Sequence, residues 1–167
     1  MSDDERAAFC HREFPRLVGS LTLYCGDPDV AEECAQEALA RACQRWRRVR
    51  ELDVPGAWVH RVGLNLANSH FRRARYERRA RERAEAGATA PATPDVDTAL
   101  TLRAAVAALP RRQRTALVLR YFADLPVAEV ARLMSCRDGT VKALTSQAIA
   151  SLRSDPRLAD LTEAVDA

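Results

Sequence analysis

Five cysteines (Cys10, Cys25, Cys34, Cys43, Cys136) and three histidines (His11, His60, His70) are the residues of this chain best suited to covalent or metal chemistry. Their arrangement argues for neither. The cysteines are odd in number, no CxxC pair occurs, and no Cys/His spacing matches a disulfide framework or a zinc finger. Cys10-His11 and the His60/His70 pair are the remaining metal candidates, and thiols packed as small hydrophobes account for the cysteines more simply. The expectation is therefore no metal and no cofactor. Neither a phosphate-cradling glycine loop, nor HExxH, nor a nucleophile elbow is present, so the chain reads as a non-enzyme.

The chemistry that the residues do support is recognition of phosphates and bases by arginine. Net charge is only +3, but it is unevenly distributed. Residues 1–40 carry three arginines against nine acids, whereas residues 41–83 carry thirteen arginines against four acids. Residues 84–108 are slightly acidic, 109–153 are again basic at +5, and 154–167 are acidic. Two basic blocks separated by a neutral-to-acidic spacer are the footprint of a nucleic-acid binder with two contact regions. Merely solvated helix faces would interleave acids at i,i+4 throughout. Lys142 is the only lysine. That bias reflects codon composition more than physics, although the guanidinium fork suits phosphate.

Helices must position these groups. Hydrophobic residues make up 47% of the chain and aromatics 5%, with Ala and Leu abundant, which favours an all-α fold. Within Leu125–Arg153, Val127, Val130, Ala131 and Met134 recur on one helical face, and Val141, Thr145, Ala148 and Leu152 on a second. Ser135-Cys136-Arg137 breaks the period between them, and Gly139 stands where two helices of a corner are expected to approach closely. This is the layout of a helix-turn-helix, whose second helix offers its first residues to the major groove. An ordinary helical corner is the plainer alternative.

Upstream, residues 5–25 read as helical, with Pro15 expected to break or start a helix within them. Gly26-Asp27-Pro28-Asp29 is a stop and restart. A second helix over 30–47 buries Ala31, Cys34, Ala35, Ala38, Leu39 and Ala42. A third starts near Pro55 and carries Trp58, Val59, Val62, Leu66, Ala67 and Phe71 at helical spacing. Its end, FRRARYERRARER, is polar all round, the mark of a helix that bridges solvent or binds something. Trp58 fits the core better than a base-stacking platform. AEAGATAPATPDVD has no apolar period and reads as a flexible linker. Beyond it come helices over 100–109 and 110–122, the latter opened by Pro110 at its first turn, and then the helix-turn-helix. The expected organisation is residues 1–83, a linker 84–97, residues 98–154 and a short acidic tail 155–167. No apolar run approaches the ~20 residues that span a bilayer, and the acidic MSDDERAAF is unlike a signal peptide, so a soluble, cytoplasmic chain is expected.

Three blocks carry a family resemblance. GDPDVAEECAQEALARACQRW, PGAWVHRVGLNLANSHFRR and LPRRQRTALVLRYFADLPVAEVARLMSCRDGTVK resemble, in order, the two domains of extracytoplasmic-function (ECF) sigma factors, most of all the actinobacterial sigma-E-like group. The resemblance implies a first domain that binds core RNA polymerase and the promoter minus-ten element, and a second that reads the minus-thirty-five element. Polymerase contacts would come from Glu33, Gln36, Glu37 and Leu39, where complementary charge would guide docking. Minus-ten recognition, including capture of a flipped base from the melted strand, would fall to Val49, Val62 and Asn65. Arg41, Arg45, Arg61, Arg72 and Arg73 would track phosphates there. Asparagine suits base reading because its amide both donates and accepts. The family often has an aromatic where Val49 stands, which implies a shallower pocket.

Minus-thirty-five contacts would come from Arg137, Thr140, Lys142, Ala143, Ser146 and Gln147. Arg137 stands where a capping Ser is common, and Gln147 where Arg is common, a change that shifts base preference from guanine toward adenine. The implied partners are core RNA polymerase and promoter DNA, both duplex and melted. Many family members are also held by an anti-sigma factor, which makes one a candidate partner. The readings to be weighed against this are a stand-alone helix-turn-helix regulator binding duplex operators, and an RNA-binding helical protein using the arginines of 72–83.

Overall fold

The computed structural model describes residues 2–84 and 98–158, and everything described is helix, turn or short connection. Four helices form the N-terminal region: α1 (Ser2–Cys25), α2 (Pro28–Gln44), the one-turn α3 (Trp46–Val49) and α4 (Pro55–Ala84). Four more form the C-terminal region: α5 (Thr98–Ala108), α6 (Arg111–Leu117), α7 (Val127–Met134) and α8 (Asp138–Arg153). A π-helical turn (Val118–Phe122) continues α6, and a 3-10 turn (Pro156–Leu158) follows α8. The linker reading falls almost wholly on residues outside those described, as does most of the acidic tail.

The helices begin and end where local chemistry dictates. Gly26, at φ +75, ends α1 in a conformation that side-chain-bearing residues avoid. Asp27 then caps α2, its carboxylate accepting from the Asp29 amide at 2.9 Å and the Val30 amide at 3.3 Å. Pro15 does not interrupt α1, which runs through it unbroken. The proline ring frees one carbonyl, four residues back at His11, and both residues are exposed, so water can solvate it. Meanwhile Phe9, Glu13, Leu17, Leu21 and Tyr24 keep one buried face on both sides of the proline. The second helix ends earlier than its period suggests, at Gln44, because the Arg45 amide turns back to the carbonyls of Arg41 and Ala42 and α3 starts afresh.

α1, α2 and α4 pack side by side around Leu17, Leu21, Ala35, Ala38 and Val59. At Gly63 a Cβ would stand 3.0 Å from a Leu21 methyl, so any larger residue would have to push the Leu21 side chain aside where α4 crosses α1. Trp46 is buried against Phe9, with ring centroids 5.2 Å apart, and Arg50 at the end of α3 pairs with Glu5 at 3.1 Å. Trp58 is half-buried against the core, in keeping with its helical period.

The C-terminal region is built on α8, which packs on α6 and α7 through Val141, Thr145 and Ala148. Ser135 takes the left-handed conformation (φ 50) at the end of α7, and the Cys136 amide returns to the Ala131 carbonyl. Gly139 is not at a close approach: it is exposed, and nothing lies within 4 Å of where its Cβ would be. The two regions also pack on each other, α1 against α5 and the π turn and α4 against α7, so their buried residues form one continuous core.

Candidate nucleic-acid interface

Arg61, Asn65, Asn68 and Arg72 recur at four- and three-residue steps and therefore share one face of α4. Arg61, Asn65 and Arg72 are exposed; Asn68 is half-buried and accepts from the Tyr24 hydroxyl at 2.8 Å. Tyr24 itself is fully buried, so this bond fixes the face of α4 to the end of α1. Two adjoining cavities open along the stripe. One is lined by Asn65, Asn68 and Arg72 with Arg111 and Arg114 opposite; the other by Arg61 and Asn65 with Arg111, Arg112 and Met134 opposite. No carboxylate lines either. Five arginines thus face a shared cleft without a counter-charge, an arrangement suited to an anionic strand.

The remaining minus-ten candidates divide. Arg41 and Arg45 are exposed at the end of α2, and Arg73 is exposed on α4. Arg41 donates to Glu37 at 2.7 Å and Arg73 to Glu77 at 2.8 Å, which holds the Arg73 guanidinium even more firmly protonated. Val62 is half-buried against the core. Val49 departs from expectation: only 2% exposed, it belongs to the core and presents no surface to a base. One-turn α3 places it inward with Trp46, while Arg47 and Arg48 point outward.

On α2 the expected polymerase contacts Glu33, Gln36 and Glu37 are exposed, opposite a buried stripe of alanines. Gln36 donates to Glu32 at 3.1 Å. Leu39 is the exception, buried within the core, where it supports the acidic face rather than forming part of it.

At the start of α8 the expectation of an outward face holds throughout: Arg137, Thr140, Lys142, Ala143, Ser146 and Gln147 are all exposed. Arg137 occupies the N-cap in an extended conformation with no side-chain hydrogen bond to the helix, leaving its first amides unsatisfied by a cap. Gln147 accepts from the Gln113 amide of α6 at 3.3 Å, which orients it.

Three features had no local signature in the sequence. Arg114 crosses between regions, donating to the Tyr24 carbonyl at 3.2 Å with its guanidinium 5.6 Å above the Tyr24 ring; it also donates to the carbonyls of Ala107 and Leu109. His60 is buried, its Nδ1 3.0 Å from the Gly56 carbonyl and its Nε2 without a partner; burial holds its pKa below the usual histidine value. Cys10 and Cys43 lie with their sulfurs 3.4 Å apart. Among the described residues, no group of three or more His, Cys, Asp and Glu is arranged to hold a metal ion.

Comparison with known proteins shows the family. Residues 10–77 match the profile described as Sigma-70 region 2, and residues 99–152 match Sigma-70, region 4. The RNA polymerase sigma-E factor of Streptomyces coelicolor is 28% identical over 145 residues, covering 87% of this chain and 82% of that one. The ECF RNA polymerase sigma factor SigL of Mycobacterium tuberculosis is 29% identical over 155 residues, covering 90% and 84%. Among solved structures, the sigma factor RpoE of Bartonella quintana, crystallised with the anti-sigma factor NepR, superposes with a TM-score of 0.69 at 20% identity, covering 92% of this chain and 96% of that one.

Proposed function

Since the chain belongs to the sigma-70 family, as an ECF sigma factor that binds core RNA polymerase and directs it to promoters, we propose how its surfaces divide that work. The exposed polar face of α2, with Glu33, Gln36 and Glu37 at its centre, docks on a basic surface of the polymerase. The face of α4, with Asn65 as base reader and Arg61, Arg72 and Arg73 as phosphate contacts, takes the melted minus-ten strand. Arg41 and Arg45 extend that track at the end of α2. Val62 shapes the pocket from the side, and Val49 and Leu39 act by supporting their neighbours. The exposed start of α8, from Arg137 to Gln147, reads the minus-thirty-five duplex. Residues 1–83 and 98–154 are the two functional domains, joined through 84–97.

The observation that carries this reading is the presence of two separate outward-facing readers, one on α4 and one on α8, in a chain whose acidic docking face on α2 precedes both. A stand-alone operator-binding regulator would need only the second. Sigma factors are generally non-catalytic, and the chemistry here belongs to the polymerase. Work with polymerase places the chain in the cytoplasm, and no described helix is long and apolar enough to cross a membrane. An anti-sigma factor is a further partner class; the Bartonella relative was solved bound to one. The test of the docking face is retention on immobilised core polymerase. Gln36→Ala combined with Glu37→Arg is expected to abolish retention while leaving the helical signal unchanged; full retention would overturn the assignment.

A further inference from the structure

Cys10 on α1 and Cys43 near the end of α2 are 33 residues apart in sequence, yet their sulfurs are in hydrogen-bonding contact at 3.4 Å. Both are half-buried, so a small oxidant can reach them while the helices hold them together. Among the described residues no other pair of thiols is in such contact. Cys43 also lines an open cleft whose other walls include Arg6, Arg45, Arg47 and Arg48, which gives a small oxidant a path to it. We infer that Cys10 and Cys43 are a reversible disulfide-forming pair, oxidised by hydroperoxides, which when closed clamps α1 to the end of α2 beside Arg45.

In the first step the Cys43 thiolate attacks one peroxide oxygen. The O–O bond breaks, the leaving alkoxide takes a proton, and Cys43 becomes a sulfenic acid. The Cys10 sulfur then displaces the sulfenic hydroxyl, which leaves as water once protonated. Two thiols lose two electrons in all, and one hydroperoxide becomes an alcohol and water. The sulfurs must close from 3.4 Å to ~2.05 Å, which side-chain rotation between packed helices can supply. Burial, reinforced by the neighbouring Cys43, pushes the Cys10 thiol up to about 11, against the opposing pull of Arg6. Cys10 therefore rests as a thiol at neutral pH.

The experiment treats the full chain with hydrogen peroxide, alkylates remaining thiols under denaturing conditions, and maps peptides by mass before and after dithiothreitol. Expected are a Cys10–Cys43 cross-linked peptide in the monomer, recovery of both thiols on reduction, and Cys25, Cys34 and Cys136 still alkylated. Cys43→Ser should leave Cys10 uncross-linked. Free Cys10 and Cys43 after treatment, a different pairing, or separate sulfinic acids with no cross-link would each overturn the inference.

Discussion

On the proposed division of work, Gln147 is the residue whose identity matters most for what the second reader sees. Its amide is exposed beyond the middle of α8 and steadied by Gln113 at 3.3 Å. An amide pairs with adenine, whereas a guanidinium pairs with guanine, and each good bidentate pair discriminates by ~1–3 kcal/mol. Gln147→Arg should therefore move the preferred minus-thirty-five base from adenine to guanine in a binding selection; an unchanged preference would refute the assignment. His60 belongs to the same scale. Its folded pKa is depressed by burial, partly offset by the Gly56 carbonyl and Glu13. The unfolded chain thus takes up this proton more readily than the folded one. The stability contributed is present above the ordinary histidine pKa of about 6.5 and is lost as pH falls from there toward the lower folded value. Melting temperature should drop over that window, and His60→Asn should flatten the drop.

Among the elements, α8 starts without a side-chain cap. Arg137 holds the extended N-cap conformation but offers the helix no side-chain acceptor. Arg137→Ser should raise stability by about 0.5–2 kcal/mol, read as an increase in melting temperature, while removing a phosphate contact from the DNA face. At the crossing of α1 and α4 the sign reverses. Gly63→Ala places a methyl 3.0 Å from Leu21 Cδ1 and 3.3 Å from Leu17 Cδ1, both fully buried, so it should cost ~1–3 kcal/mol in chemical denaturation.

Much at this scale was legible because helical periodicity is local. The period of Val141, Thr145 and Ala148 was enough to place Arg137, Thr140, Lys142 and Gln147 outside. Continuity across Pro15 was not legible, because it rests on a buried face shared with α2 and α4 rather than on propensity. Nor was the burial of Val49 and Leu39, since motif position says which residues border a site but not which of them face inward. Tyr24–Asn68 and Arg114–Tyr24 join residues 44 and 90 apart, beyond the reach of any local pattern.

Across the whole molecule, the two regions close on each other around Arg114, and the α4 stripe faces Arg111 and Arg112 across the cleft. Arginines confront arginines there, so closure rests on the Tyr24 contacts and the shared apolar core rather than on charge attraction. Arg114→Ala removes the guanidinium from the Tyr24 carbonyl and ring, a charge-assisted bond of ~1.5–3 kcal/mol, and should increase the radius of gyration in small-angle scattering. With these surfaces the chain selects where RNA polymerase starts. Run-off transcription with purified core polymerase, on a promoter recovered by selection with the chain–polymerase complex, tests it most directly. A defined transcript is expected that requires both chain and core, and that falls by more than tenfold with Asn65→Ala. Promoter-specific binding by the chain alone, with no transcript from the reconstituted complex, would contradict it.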